Sequence, residues 1–165
     1  MFSKFSKTKK LILCRHADAL PAARIEHDLD RKLSEDGIVQ AQQGKNWLLQ
    51  LLAENTTLVC SSATRAIETA KIISGAFPGS DLEIHKELYE CPASGILRFL
   101  SSVPENFRTV VFIGHNPGIS YFASNLTNRD INFSTGQIVV IDLETEKWNQ
   151  ISYGTATVKD FFLPE

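Results

Sequence analysis

Leu11-Ile12-Leu13-Cys14-Arg15-His16-Ala17 decides how this chain is read. Four apolar residues of strand character run directly into a cation and an imidazole, with no turn residue between them. The run predicts a buried strand over 10–15 whose carboxyl end carries two polar groups, where open α/β sheets place their ligands. An imidazole is a nucleophile and proton carrier near neutral pH, and a planar guanidinium fork binds the oxygens of an anion. The pair points to chemistry on a phosphoryl group. A dipeptide alone is weak evidence, because histidine more often packs or lies at a surface.

Downstream, strand and helix patterns alternate. Ser34 is placed to cap a helix whose first turn carries Glu35 and Asp36, favourable near the positive end of the helix dipole. Ile38, Ala41, Trp47, Leu48, Leu51 and Leu52 predict its apolar face, despite Gly37 and Gly44. Leu58 to Cys60 read as a second strand, followed by a helix with Ala63, Ala66, Ile67, Ala70 and Ile73 at three- and four-residue intervals. Leu82 and Ile84 suggest a short third strand, and 96–100 a helix. Thr109 to Ile113 make a β-branched fourth strand that runs into Gly114-His115-Asn116-Pro117-Gly118 and a helix over 119–126. Gln137–Leu143 and Trp148–Tyr153 read as two closing strands joined by a polar hairpin at Glu144–Lys147. The predicted class is a three-layer α/β/α sandwich with a mainly parallel, mixed central sheet.

Three strand-to-helix transitions end in phosphate-handling groups: Arg15 and His16, then Ser61, Ser62 and Arg65, then His115 and Asn116. In a parallel sheet those ends share one edge, so two arginines and two histidines are expected to line one pocket. Each has a plainer reading. Arg65 suits a surface ion pair with Glu68 or Glu35, and His115 suits a turn. Their coincidence at equivalent positions favours chemistry. Fixed cations stabilise the equatorial oxygens of a phosphoryl group in transfer. One neutral imidazole can attack phosphorus in line, while the second hydrogen-bonds the transferring group. No metal or cofactor is required, and no close metal-like spacing of His, Asp and Glu occurs.

The 165 residues fit one domain, expected over 10–165 behind a basic tail at 1–9 that contains Lys4, Lys7 and Lys9. With 43% hydrophobic and 22% charged residues the chain is ordinarily globular, and a net charge of −2 gives no case for nucleic acid. The apolar run after the lysines is too short for a signal peptide or a membrane span. Cys14, Cys60 and Cys91 are odd in number and widely spaced, which suits free thiols in a reducing cytoplasm. Cys60 and Arg65 invite comparison with the Cys-to-Arg loop of cysteine-dependent phosphatases. Ser61 to Thr64 leave that loop one residue short and without glycine, so Cys60 reads as a buried strand residue.

Together these motifs resemble the histidine phosphatase superfamily, also called phosphoglycerate mutase-like, and more closely its short SixA-type phosphohistidine phosphatases. The 11–17 stretch is similar to the first motif, with Ala17 in place of the usual glycine, and 30–37 to the segment that opens the first helix. Residues 61–70 resemble the second motif, 87–90 a Leu-Tyr segment, and 114–118 the last motif. The resemblance implies that His16 is the phosphorylated nucleophile and that Arg15, Arg65 and His115 complete the phosphate pocket. It leaves the general acid open among Glu87, Glu90 and Asp18, with Glu90 carried as a substrate-binding residue. An alkoxide needs a proton to leave, whereas an imidazole can depart already protonated, so a pocket without a sure acid suits a phosphoramidate. The implied activity is hydrolysis of phosphohistidine on a signalling or phosphotransfer protein. A small-molecule phosphomonoesterase and a non-catalytic phosphate-binding module are the alternatives.

Overall fold

Alternation inside the first strand is what builds the layers. In a computed structural model describing residues 8–23 and 27–165, β1 spans Lys10–Arg15, with Leu11 and Leu13 facing one core and Ile12 and Cys14 the other. Strand side chains alternate faces, so four consecutive apolar residues are buried only where helices cover both sides. The elements that follow are α1 (Glu35–Leu48), β2 (Thr56–Ser61), α2 (Thr64–Ile73), β3 (Leu82–His85) and α3 (Ala93–Ser101). The chain closes with β4 (Thr109–Gly114), α4 (Gly118–Thr127), β5 (Ile138–Leu143) and β6 (Ala156–Phe162).

The sheet order is β3-β2-β4-β1-β5-β6. β1 to β4 pair in parallel, while β5 runs antiparallel to β1 and β6 antiparallel to β5. Leu48 of α1 and Ala66, Ala70 and Ile73 of α2 cover one face, against Ile12, Leu58, Val111 and Val140. Ile96 and Leu100 of α3 and Ile119, Phe122 and Leu126 of α4 cover the other, against Leu11, Leu13, Val110 and Phe112. This is the expected three-layer mixed sandwich. β1 and β4 are neighbours whose following helices lie on opposite faces, the topological switch point of such sheets. Among the described residues no helix is long and apolar enough to cross a membrane.

Three expectations are corrected. The buried face of α1 is Gly37, Ala41, Gly44 and Leu48, whereas Ile38 is exposed and Leu51 and Leu52 lie past the helix end. Glycine serves close approach here: a Cβ at Gly37 would stand 1.9 Å from the Asp18 carbonyl oxygen. We expect Gly37→Ala to cost about 1–3 kcal/mol and displace the Asp18 loop, read as a lower melting midpoint. Trp148–Tyr153 is not a strand. Trp148 is fully buried in a 3-10 turn, donates Nε1–H to the Phe107 carbonyl (2.9 Å), and leaves β6 to pair with β5. A large indole with a satisfied N–H gains more in the core than on a sheet edge. Finally, Lys9 is not part of a solvated tail. Its ammonium donates to the carbonyls of Glu105 (2.8 Å) and Phe107 (2.9 Å) and pairs with the Glu105 carboxylate at 3.2 Å. Lys4, Lys7 and the rest of 1–7 lie outside the described residues.

Candidate active site

Register brings the strand ends together. Arg15 pairs with Gly114 across β1 and β4, so His16 and His115 follow at adjacent positions. Their ring centroids stand 5.0 Å apart. Cys60 pairs with Ile113 across β2 and β4, which places Ser61 beside the same edge. Arg65 follows in the first turn of α2. Arg15, His16, Arg65 and His115 line one cavity of about 380 Å³, together with Asp18, Asp28, Arg31, Glu90, Asn116 and Thr135. A groove of about 610 Å³ near Asn55, Phe77 and Asn106 is larger, but no His, Cys, Arg, Lys or carboxylate lines it.

Hydrogen bonds fix the tautomer of His16. Nδ1 lies 2.8 Å from the Ala17 carbonyl oxygen, which can only accept, so Nδ1 carries the proton. Arg65 Nε–H, which can only donate, points at His16 Nε2 from 3.3 Å. The Nε2 lone pair therefore faces the guanidinium. Burial pushes the His16 pKa down to about 4, partly opposed by the Ala17 hydrogen bond, and the charges of Arg65, Arg15 and Arg31 lower it further. His115 is pushed down to about 3 by burial, then by His16 and Arg65, and its Nε2 sits 2.5 Å from Ser61 Oγ. Both rings are neutral at pH 7.

Both folded values lie below that of an unperturbed imidazole, about 6.5, so between them the unfolded chain binds more protons. The two groups thus withdraw stability as pH falls through 6.5 towards 4 and 3, and contribute it fully above 6.5. In a proton NMR titration the His16 and His115 ring signals should remain at their neutral positions down to about pH 5.5. A His16 midpoint near 6.5 would contradict the assignment.

Both arginines are anchored, Arg15 from beyond the cavity lining and Arg65 on its wall. Arg15 Nη1 donates to the Phe133 carbonyl at 2.9 Å, and Asn116 Nδ2 donates to the same oxygen at 2.9 Å, bracing the ends of β1 and β4. Arg65 is buried and pairs with neither Glu68 nor Glu35. Its Nη1 donates to the Asp28 carbonyl (2.7 Å) and its Nη2 to Asp28 Oδ2 (2.9 Å), while Glu68 accepts from Leu33 N–H. Thr69 Oγ links α2 to the first motif, accepting from Ala17 N–H (3.0 Å) and donating to the Arg65 carbonyl (2.7 Å). Ala17 is fully buried against Leu33 and Ala41, and its φ is not positive, so its backbone does not require glycine.

The three carboxylates considered from sequence have separate fates. Glu87 lies outside the cavity, beside His85 at 3.4 Å. Asp18 lines the cavity, and its Oδ2 accepts from Ser34 Oγ at 2.6 Å. Glu90 lines the cavity from an exposed position with φ of 49°. A further cavity carboxylate, Asp28, accepts from Arg31, Arg65 and Tyr89 and carries no signal in the sequence. A hydrogen bond from Tyr89, followed by those from Arg31 and Arg65, holds its pKa well below the usual carboxylate range. Cys60 is buried in the core away from the cavity, and burial pushes its thiol up to about 12, which leaves no thiolate at neutral pH.

Residues 11–97 match the family model of the histidine phosphatase superfamily (branch 1), a match that ends before His115. An uncharacterized protein of Mycobacterium tuberculosis is 27% identical over 164 residues, covering 91% of this chain and 99% of that protein. Among solved structures, a SixA phosphohistidine phosphatase candidate from Nakamurella multipartitia is 26% identical at a TM-score of 0.81, covering 95% of this chain and 96% of that one. Another from Agrobacterium tumefaciens shares the fold at 24% identity and a TM-score of 0.82, covering 95% and 99%. With more than half of its length matched by the family model, the chain belongs to the histidine phosphatase superfamily, branch 1.

Proposed function

We propose that this protein is a metal-independent phosphatase that hydrolyses phosphohistidine on a protein partner through a covalent phosphohistidine on His16. The observation that carries the reading is the fixed tautomer of His16, neutral at pH 7 with its Nε2 lone pair turned towards Arg65. In the first step Nε2 attacks phosphorus, the new N–P bond forms, and the N–P bond to the substrate imidazole breaks. Positive charge developing on the His16 ring strengthens the Nδ1–H bond to the Ala17 carbonyl. Arg15 and Arg65 hold the phosphoryl oxygens, and His115 hydrogen-bonds the transferring group. Water then cleaves the His16 N–P bond, releasing phosphate and restoring the neutral ring.

The carboxylates support a phosphoramidate substrate. Asp28 is held ionised by its donors and so supplies no proton at neutral pH, and Glu90 sits exposed on the cavity wall as the proposed substrate contact. A leaving imidazole protonated on its other nitrogen needs no such proton. The proposed domain is the single unit expected over 10–165, to which Lys9 is added by its bonds to Glu105 and Phe107. To test the reading, the purified protein is incubated with a phosphohistidine-bearing protein and with a panel of sugar and nucleotide monophosphates. Turnover of the phosphoprotein supports it; strong turnover confined to the metabolites contradicts it.

A further inference from the structure

We propose that Asp28 is a positioning residue that sets the Arg65 guanidinium for phosphoryl transfer. This rests on the reading of Arg65 as the phosphoryl clamp. A free arginine side chain samples many rotamers, and a clamp that must be found anew at each turnover is a poor one. Here one residue removes that freedom. Asp28 accepts from Arg65 Nη1 through its main-chain carbonyl (2.7 Å) and from Nη2 through Oδ2 (2.9 Å). Two bonds from one partner define the guanidinium plane, and they leave the Nε–H edge directed at His16 Nε2 (3.3 Å).

Asp28 is itself held. Tyr89 donates its hydroxyl to Oδ2 at 2.6 Å, and Arg31 Nη1 donates to Oδ1 at 3.0 Å. Arg31 is anchored in turn by Nε–H to the Leu20 carbonyl at 2.7 Å. A relay therefore runs from Leu20 through Arg31, Asp28 and Arg65 to His16. The Asp28 side chain is 44% exposed whereas that of Arg65 is 7% exposed. A half-exposed carboxylate adds little to folding, so its effect lies in the geometry it imposes on a buried partner.

The test compares wild type, Asp28→Ala, Arg65→Ala and the double variant. In ¹H–¹⁵N spectra of the wild type, both held Nη groups of Arg65 rotate slowly and give separate signals. Asp28→Ala deletes the Oδ2 bond and keeps the main-chain one, so the Nη2 proton signals are expected to merge while those of Nη1 stay separate and the melting midpoint moves by only a few degrees. On a phosphohistidine peptide, Asp28→Ala is expected to lower kcat about tenfold to a hundredfold with a much smaller change in KM. In the Arg65→Ala background the same substitution should remove nothing further, because it acts through Arg65. Unchanged Arg65 signals in Asp28→Ala, or an equal loss of kcat in both backgrounds, would overturn the proposal. Should the wild type turn over no phosphorylated substrate, the clamp reading fails, and the Arg65 signals still decide whether Asp28 positions the guanidinium.

Discussion

His16→Ala is expected to abolish turnover, lowering kcat by about 10⁴-fold or more on any substrate the wild type accepts. The substitution deletes the atom that is proposed to form the new bond, so no remaining group substitutes in kind. His115 stands 5.0 Å away between ring centroids, but its Nε2 is engaged with Ser61 Oγ. Phosphate binding should survive in the variant, because Arg15 is anchored through Phe133 and Arg65 through Asp28, independently of His16. Steady-state turnover with calorimetric titration of inorganic phosphate separates the two effects. Hydrolysis by His16→Ala at the wild-type rate would remove the covalent mechanism. Absence of hydrolysis by both proteins, with phosphate bound by both, would favour a binding module.

Arg65→Ala is expected to lower kcat/KM by about 10²–10³-fold, the usual effect of deleting one fixed donor to a charge that develops in the transition state. A second effect accompanies it. The Arg65 charge helps to depress the pKa values of both His16 and His115, so its loss raises both. The acid limb of kcat/KM should therefore move to higher pH in the variant, a shift that loss of binding alone does not produce. Arg65→Lys should recover little, because the three N–H bonds of an ammonium leave one nitrogen and cannot span the Asp28 carbonyl, Asp28 Oδ2 and His16 Nε2 as the three nitrogens of the planar guanidinium do. The pH profile of each variant checks both expectations.

Pocket residues were legible in sequence where strand ends carried them. Arg15 and His16, Arg65, and His115 each follow an apolar strand run, and a parallel sheet gathers such ends at one edge. Asp28 was not legible. It lies in an aperiodic stretch between β1 and α1, and its importance arises from partners at Arg65 and Tyr89, 37 and 61 positions away. Ser61 was visible as a strand-end residue, but its contact with His115 needs the register of β2 against β4. The α1 face was misread because hydrophobic periodicity marks bulky side chains, whereas this helix packs through Gly37 and Gly44. Trp148 was misread as part of a strand because an indole has high strand preference, and the Phe107 carbonyl that satisfies it lies 41 residues away. Local preference reports what a residue favours on its own; those contacts are set by tertiary packing.

The central claim is that His16 carries the phosphoryl group. Rapid acid-free quenching during turnover of a phosphohistidine protein, followed by phosphorus NMR and peptide mapping, tests it most directly. The expected result is acid-labile phosphate on Nε2 of His16, absent from His16→Ala. Phosphate on Cys60, or turnover through a single direct attack by water with no phosphorylated residue formed, would contradict it.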